Sequence, residues 1–356
     1  MVFVFHYGGG LQSTNWAIRL IGRVTQTGWT GVILFFALSG FLITGSLWDS
    51  LGTRHVLQHF YVRRALRILP LYFFGLVLTA LVGFAHGYTF SELHPLAIYM
   101  VFLQNTPPLA ARAEAFASPL PLYHLWSLAV EEQFYLLWPA LVLFSHTRSL
   151  ALWLSLAIFA ISAVFRLVVW GAPLPAAVAG IVLNHFLLTH AGALALGAAL
   201  ALAIRGSKAE AIAHYAPAAC IAGLLLYGCA GWLCGSYKLE PPAQFMLGLL
   251  GVSVAAVAMV QLVLLPGFAG GLFTVAPLRW MGRISYGFYV FHILLGPLFD
   301  KIATLLQPHA DHSIFYVVRF FVAFCVTLLV SWLSFRFFEA PILALKSRFP
   351  MHSPLP

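Results

Sequence analysis

Leu125–Pro139 reads L-W-S-L-A-V-E-E-Q-F-Y-L-L-W-P, and two adjacent glutamates, Glu131 and Glu132, stand in an otherwise apolar run of membrane-helix length. The whole chain holds only 10 acidic residues in 356. A carboxylate near the middle of a bilayer costs several kcal/mol unless it is paired or faces a wet cavity, so such residues mark function by default. The surrounding composition agrees, with 62% hydrophobic and 8% charged residues, against about 25% charged in a soluble domain. The sequence therefore predicts an all-α, polytopic membrane helix bundle forming a single integral membrane domain over residues 1–356. No polar stretch approaches the ~50 residues of a separate soluble domain.

Working outward, nine apolar runs have spanning length: Trp29–Trp48, Leu69–Phe84, Leu125–Phe144, Leu150–Trp170, Leu183–Ile204, Ala216–Leu233, Phe245–Leu265, Ile284–Leu306 and Ile314–Phe338. Met1–Gly10 is apolar but half the length a span needs, at about 20 residues. Counting it as the remnant of a truncated first helix gives about ten transmembrane helices. Pro95–Leu103 is a weaker, shorter run. Basic residues decide its fate, because loops rich in Lys and Arg stay cytoplasmic. Arg54, Arg63, Arg64 and Arg67 follow the first full span. If Pro95–Leu103 does not cross, then Arg148, Arg205 with Lys208, Arg279 with Arg283, and Lys346 with Arg348 fall on that same side. If it crosses, every later basic cluster lands outside. The run is therefore expected to be re-entrant or partly inserted, with both chain termini cytoplasmic.

This topology also accounts for the net charge of +9, which comes from Lys and Arg spread over short loops rather than gathered on a nucleic-acid face. Membrane lipids, not nucleic acid, are the expected surroundings. Cys220, Cys229, Cys234 and Cys325 form no disulfide or metal framework, and packing explains them. Met1–Phe5 has neither a basic n-region nor a cleavage site. No P-loop, dinucleotide fingerprint or metal-ligand cluster occurs, which argues against an ATP-driven pump or a nicotinamide enzyme.

Several polar residues then call for an account. On a helix His124, Ser127, Glu131 and Tyr135 share one face, while Glu132 is turned about 100° away. Glu131 is the better catalytic or gating candidate, and Glu132 is expected to pair with an arginine. A structural, hydrogen-bonded role fits both as well. Arg64 and Arg67 lie three apart, and Arg63 meets Arg67 four apart. Guanidinium forks suit phosphate, although topology determination or anionic lipid would use the same residues. His6 and His292 each stand in apolar runs. A neutral imidazole is a good general base near pH 7, and a structural role is equally open for either. Ala191–Leu202 (A-G-A-L-A-L-G-A-A-L-A-L) puts small residues at helical spacing, as a close helix-packing face does.

Taken together, Gly31–Thr44 (G-V-I-L-F-F-A-L-S-G-F-L-I-T), Phe60–Pro70 (F-Y-V-R-R-A-L-R-I-L-P), His124–Pro139 and Gly282–His292 (G-R-I-S-Y-G-F-Y-V-F-H) resemble the acyltransferase 3 family of membrane O-acyltransferases. Phe335–Pro341 (F-R-F-F-E-A-P), which carries Glu339, is similar to the closing motif of that family. The resemblance covers nearly the whole chain, with the motifs in order. It implies about ten core helices in a bacterial inner membrane. It also implies transfer of an acyl group, often acetyl, from cytoplasmic acyl-CoA to a hydroxyl of a carbohydrate or lipid-linked glycan. Acyl-CoA is then a cosubstrate, and no cofactor is held permanently. His6 matches the catalytic histidine of the family, and Arg64 and Arg67 match its R-x-x-R motif, linked to the acyl donor. Arg63 is grouped with them, and Ser127, Tyr135, Glu132, His292 and Glu339 are expected in supporting roles.

Two departures from the family pattern bear on activity. Many members have an aspartate where this chain has Ile33, which cannot orient an imidazole, so either Glu131 substitutes or catalysis runs without an orienting carboxylate. Members also have about a dozen more residues before the histidine, which points to a start codon further upstream. A transporter or flippase for an acyl donor or lipid-linked glycan remains as an alternative, as does a catalytically inactive member. The acceptor stays open among lipopolysaccharide O-antigen, capsule, exopolysaccharide, a nodulation glycolipid and a macrolide.

Overall fold

A computed structural model of the chain describes residues 1–8, 16–239, 243–307 and 312–351. The described residues form helices and no strands. The principal helices are α1 (Val2–Tyr7), α2 (Thr30–Asp49), α3 (Val56–Ala85), α4 (Trp126–Phe144), α5 (Arg148–Gly171), α6 (Leu187–Ala203), α7 (Ala209–Cys234), α8 (Leu249–Leu264), α9 (Ala276–Leu294), α10 (Gly296–Leu306) and α11 (His312–Ser334). Among the described residues 7 helices are long and apolar enough to cross a membrane, and 8 if α9 and α10 count as one broken span. The chain is an integral membrane protein, and this count among the described residues does not confirm the expected ten spans.

Two expected spans depart for identifiable reasons. In α4 the consecutive Glu131, Glu132 and Gln133 lower the hydropathy of a helix whose length would suffice. The run Ile284–Leu306 bends by 68° between α9 and α10. Pro297 sits at the start of α10, and a proline disfavours helical backbone in the residue before it. The first expected span is longer than its apolar run, since Leu20–Asp49 is nearly continuous helix.

Pro95–Leu103 does not cross. Its only helix, Leu96–Met100, has 5 residues, about 7 Å of rise against a hydrocarbon core of about 30 Å. Buried hydrogen bonds tie the segment to its neighbours. The Tyr72 hydroxyl donates to the Tyr99 carbonyl at 2.8 Å, and Gln104 Nε2 donates to the Leu125 carbonyl at 2.9 Å. Gln133 Nε2 donates to the Phe102 carbonyl at 2.7 Å. In the connection before it, Thr89 and the exposed Glu92 form a capping box. The backbone and hydroxyl hydrogen bonds of Thr89 hold that carboxyl below its ordinary range.

The small-residue face of Ala191–Leu202 packs as expected. A Cβ at Gly40 would stand 1.9 Å from the Leu194 carbonyl oxygen, and one at Gly197 would stand 2.0 Å from that of Ala37. α2 and α6 therefore meet backbone to backbone, which any side chain at either position would prevent. Arg205, just past α6, pairs with Asp49 at the end of α2. Trp138 Nε1 donates to Thr44 Oγ1 at 2.8 Å and fixes α4 against α2. These contacts fix α2 against α4 and α6, and faces of α2, α3, α4 and α9 enclose the site.

Candidate active site

α3 runs straight through the basic motif. At 30 residues it is about 45 Å long, so its first turns extend past the apolar part and carry the arginines on a rigid stalk. Arg64 and Arg67 point into a cavity of about 460 Å³ that Ser39, Ser127, Glu131, Tyr135 and Tyr286 also line. The predicted stripe on α4 is thus real for Ser127, Glu131 and Tyr135. His124 continues it one turn above, in the Tyr123–Leu125 turn.

Glu131 is buried, and its carboxylate accepts hydrogen bonds from the Ser39 and Tyr135 hydroxyls. The Arg64 guanidinium lies over the Tyr135 ring at 5.5 Å, and that of Arg67 over the Tyr286 ring at 5.7 Å. The Tyr286 hydroxyl donates to the Ile68 carbonyl at 2.7 Å, which fixes that ring. Among the described residues neither guanidinium has a carboxylate within 4.0 Å. Both forks face the cavity with cation–π support.

Three other candidates lie elsewhere. Arg63 turns to the C-terminal segment, where its Nη1 donates to the Lys346 and Phe349 carbonyls, each at 3.1 Å; it does not line the cavity. Glu132 forms no ion pair with an arginine among the described residues, and its buried Oε1 lacks a partner. The expected arginine pairing is not made, because Arg64 and Arg67 turn toward the Glu131 face instead. Glu339 closes the π-helical turn Phe335–Glu339 and accepts from the Ser334 hydroxyl at 3.1 Å. Its Oε1 would stand 3.0 Å from a Cβ at Gly287, so the glycine makes room for it.

A second group of residues forms a histidine cluster. The His292 ring lies 5.4 Å from the ring of His6 and 5.4 Å from that of His124. His292 Nδ1 meets the Tyr289 carbonyl at 2.6 Å, and His124 Nε2 meets the Val290 carbonyl at 3.1 Å. A carbonyl only accepts, so those nitrogens carry the protons. His292 Nε2 and His124 Nδ1 are left as buried lone pairs without partners. The Tyr289 hydroxyl donates to the His124 carbonyl and meets Ser127 Oγ, each at 2.5 Å, which links the cluster to the cavity wall.

His6 itself lines a smaller cavity of about 140 Å³ with Tyr123, Asp300 and Arg319. Asp300 and Arg319 are ion-paired, and Arg319 lies over the Tyr7 ring at 5.0 Å. Ile33 is fully buried and apolar. Glu131 accepts its hydrogen bonds from Ser39 and Tyr135 rather than from His6. The carboxylate that shares a cavity with His6 is Asp300, which sequence reasoning missed, as it missed Ser39, Tyr286 and Tyr289. The three-residue spacing of Tyr286, Tyr289 and His292 is the signal that marks one face of α9.

A family profile described as an acyltransferase domain matches residues 1–336. A peptidoglycan O-acetyltransferase of Listeria monocytogenes is 30% identical over 335 residues, covering 88% of this chain and 51% of that protein. A Bacillus subtilis protein named "Putative peptidoglycan O-acetyltransferase" is 28% identical over 348 residues, covering 92% of this chain and 51% of its own length. The chain spans about half the length of these curated relatives. No solved structure matches it.

Proposed function

The chain belongs to this acyltransferase family, the acyltransferase 3 family, and from that premise we propose that it moves an acetyl-sized acyl group from acyl-CoA to a hydroxyl of a cell-surface glycan. One observation carries the reading. Val2 lines the cavity that holds Arg64 and Arg67, and His6, one turn on along α1, lines the smaller cavity with Asp300 and Arg319. The helical rise between them is about 6 Å. A donor gripped in the first cavity and an acceptor in the second would therefore meet beside His6.

In this mechanism Arg64 and Arg67 bind phosphates of coenzyme A through charge-assisted hydrogen bonds. His6 takes the proton of the acceptor hydroxyl, and the oxygen attacks the thioester carbonyl. The new C–O bond forms as the C–S bond breaks. The coenzyme A thiolate leaves and receives the proton from His6. Glu131 is assigned a positioning role: it fixes the Tyr135 ring over which Arg64 lies. Holding both substrates in one frame supplies the entropic part of the rate enhancement.

The names of the relatives support acetyl as the group and peptidoglycan, a cell-surface glycan, as the acceptor. The basic clusters support a cytoplasmic arginine cavity, both termini cytoplasmic, in a bacterial inner membrane. Mass spectrometry of cell-wall glycan from a strain lacking the chain tests the acceptor. The expected result is loss of one acetyl-sized mass per modified sugar. An unaltered glycan profile would reject peptidoglycan.

A further inference from the structure

A cavity of about 660 Å³ lies between α5, α6, α7 and α8 and shares no lining residue with the arginine cavity. Its polar groups gather at one end. Arg148 and Ser149 open α5, Lys208 immediately precedes α7, and Gln261 sits in the last turn of α8. This is the side on which Arg205 pairs with Asp49. From there the wall is apolar, with Trp153 of α5 and Leu196 of α6 running along it.

The polar end is unfilled by the protein's own chemistry. Among the described residues neither Arg148 nor Lys208 has a carboxylate within 4.0 Å. Arg148 Nη1 donates to the Leu202 carbonyl at 3.5 Å. A Cβ at Gly206 would stand 2.1 Å from Arg148 Nη1, so the glycine leaves space for the guanidinium. Gln261 is 6% exposed, and its Oε1 accepts no hydrogen bond. An unpaired buried acceptor is costly, and a hydroxyl donor from a ligand removes that cost.

We infer that this cavity is a specific site for an anionic glycerophospholipid with a hydroxylated headgroup, of the phosphatidylglycerol class. The phosphate sits between Arg148 and Lys208 at the start of α5. A headgroup hydroxyl donates to Gln261 Oε1, and one acyl chain follows Trp153 and Leu196. A general boundary lipid needs neither the buried acceptor nor the two cations without counter-ions.

Native mass spectrometry of the full chain, purified and presented with vesicles of chain-matched lipids, tests this. The wild-type protein should retain phosphatidylglycerol at least tenfold over phosphatidylcholine. The paired Arg148→Gln, Lys208→Gln variant should lose roughly thirtyfold of that retention, from about 1 kcal/mol per basic residue. Gln261→Leu, which keeps volume and leaves the cations in place, should erase the preference for phosphatidylglycerol over phosphatidic acid, which lacks the glycerol hydroxyls. Equal retention of phosphatidylglycerol and phosphatidylcholine by the wild type would overturn the site. Should the paired variant not fold, an unchanged headgroup preference in Gln261→Leu overturns the assignment on its own.

Discussion

Replacing His6 by alanine should lower acyl transfer by about 10²–10⁴-fold, the range that a positioned general base supplies, while the protein still folds. His6 lies in the short helix α1, where its ring contacts Phe5, Tyr123 and His292. The main anchors of α1 are other residues: Phe3 packs on Phe288, Phe320 and Phe324, and the Tyr7 hydroxyl donates to the His292 carbonyl. Truncating His6 therefore removes the base and leaves the packing. Rates of acetyl transfer, read beside an unaltered thermal unfolding midpoint in detergent, check the expectation. A variant that transfers at the wild-type rate would remove His6 from the reaction.

The second large effect falls on donor binding. Arg64→Ala and Arg67→Ala should each raise KM for acyl-CoA by roughly 10–100-fold, since a hydrogen bond to a charged group contributes about 1.5–3 kcal/mol. KM for the acceptor should stay near its wild-type value. Lysine at either position should recover part of the loss, because it keeps the charge and gives up the bidentate fork. Arg63→Ala serves as the internal control. Its guanidinium is committed to the Lys346 and Phe349 carbonyls, so donor KM should not move. Steady-state kinetics with varied acyl-CoA separate the three. Equal donor KM values for Arg63→Ala and Arg67→Ala would dissolve the distinction drawn from the cavity.

The sequence made much of this legible where one helix was enough to carry the pattern. The 3.6-residue period put Ser127, Glu131 and Tyr135 on one face, and they line one cavity. The small residues of Ala191–Leu202 announced a backbone contact, and Gly197 meets the Ala37 carbonyl. Charge alternation kept Pro95–Leu103 from crossing, and its helix is too short to cross. What stayed hidden depends on distant segments. Arg63 and Arg67 share a helix face, and only the return of the C-terminal segment draws Arg63 away. His6, His124 and His292 come from three separate parts of the chain and become one cluster only when α1, the Tyr123–Leu125 turn and α9 pack. Glu131 was visible by its energetic cost, but its partner Ser39 was not, being one serine in an apolar helix.

The competing accounts differ in covalent outcome. A transporter or flippase would move an acyl donor or lipid-linked glycan unchanged, and an inactive member would do neither. The most direct measurement supplies acetyl-CoA, labelled in the acetyl group, to proteoliposomes containing the full chain and glycan fragments. The account predicts label bound covalently to a glycan hydroxyl, with free coenzyme A released in equal amount and both lost in His6→Ala. Label that stays on coenzyme A, or crosses the membrane without any acylated glycan appearing, would contradict it.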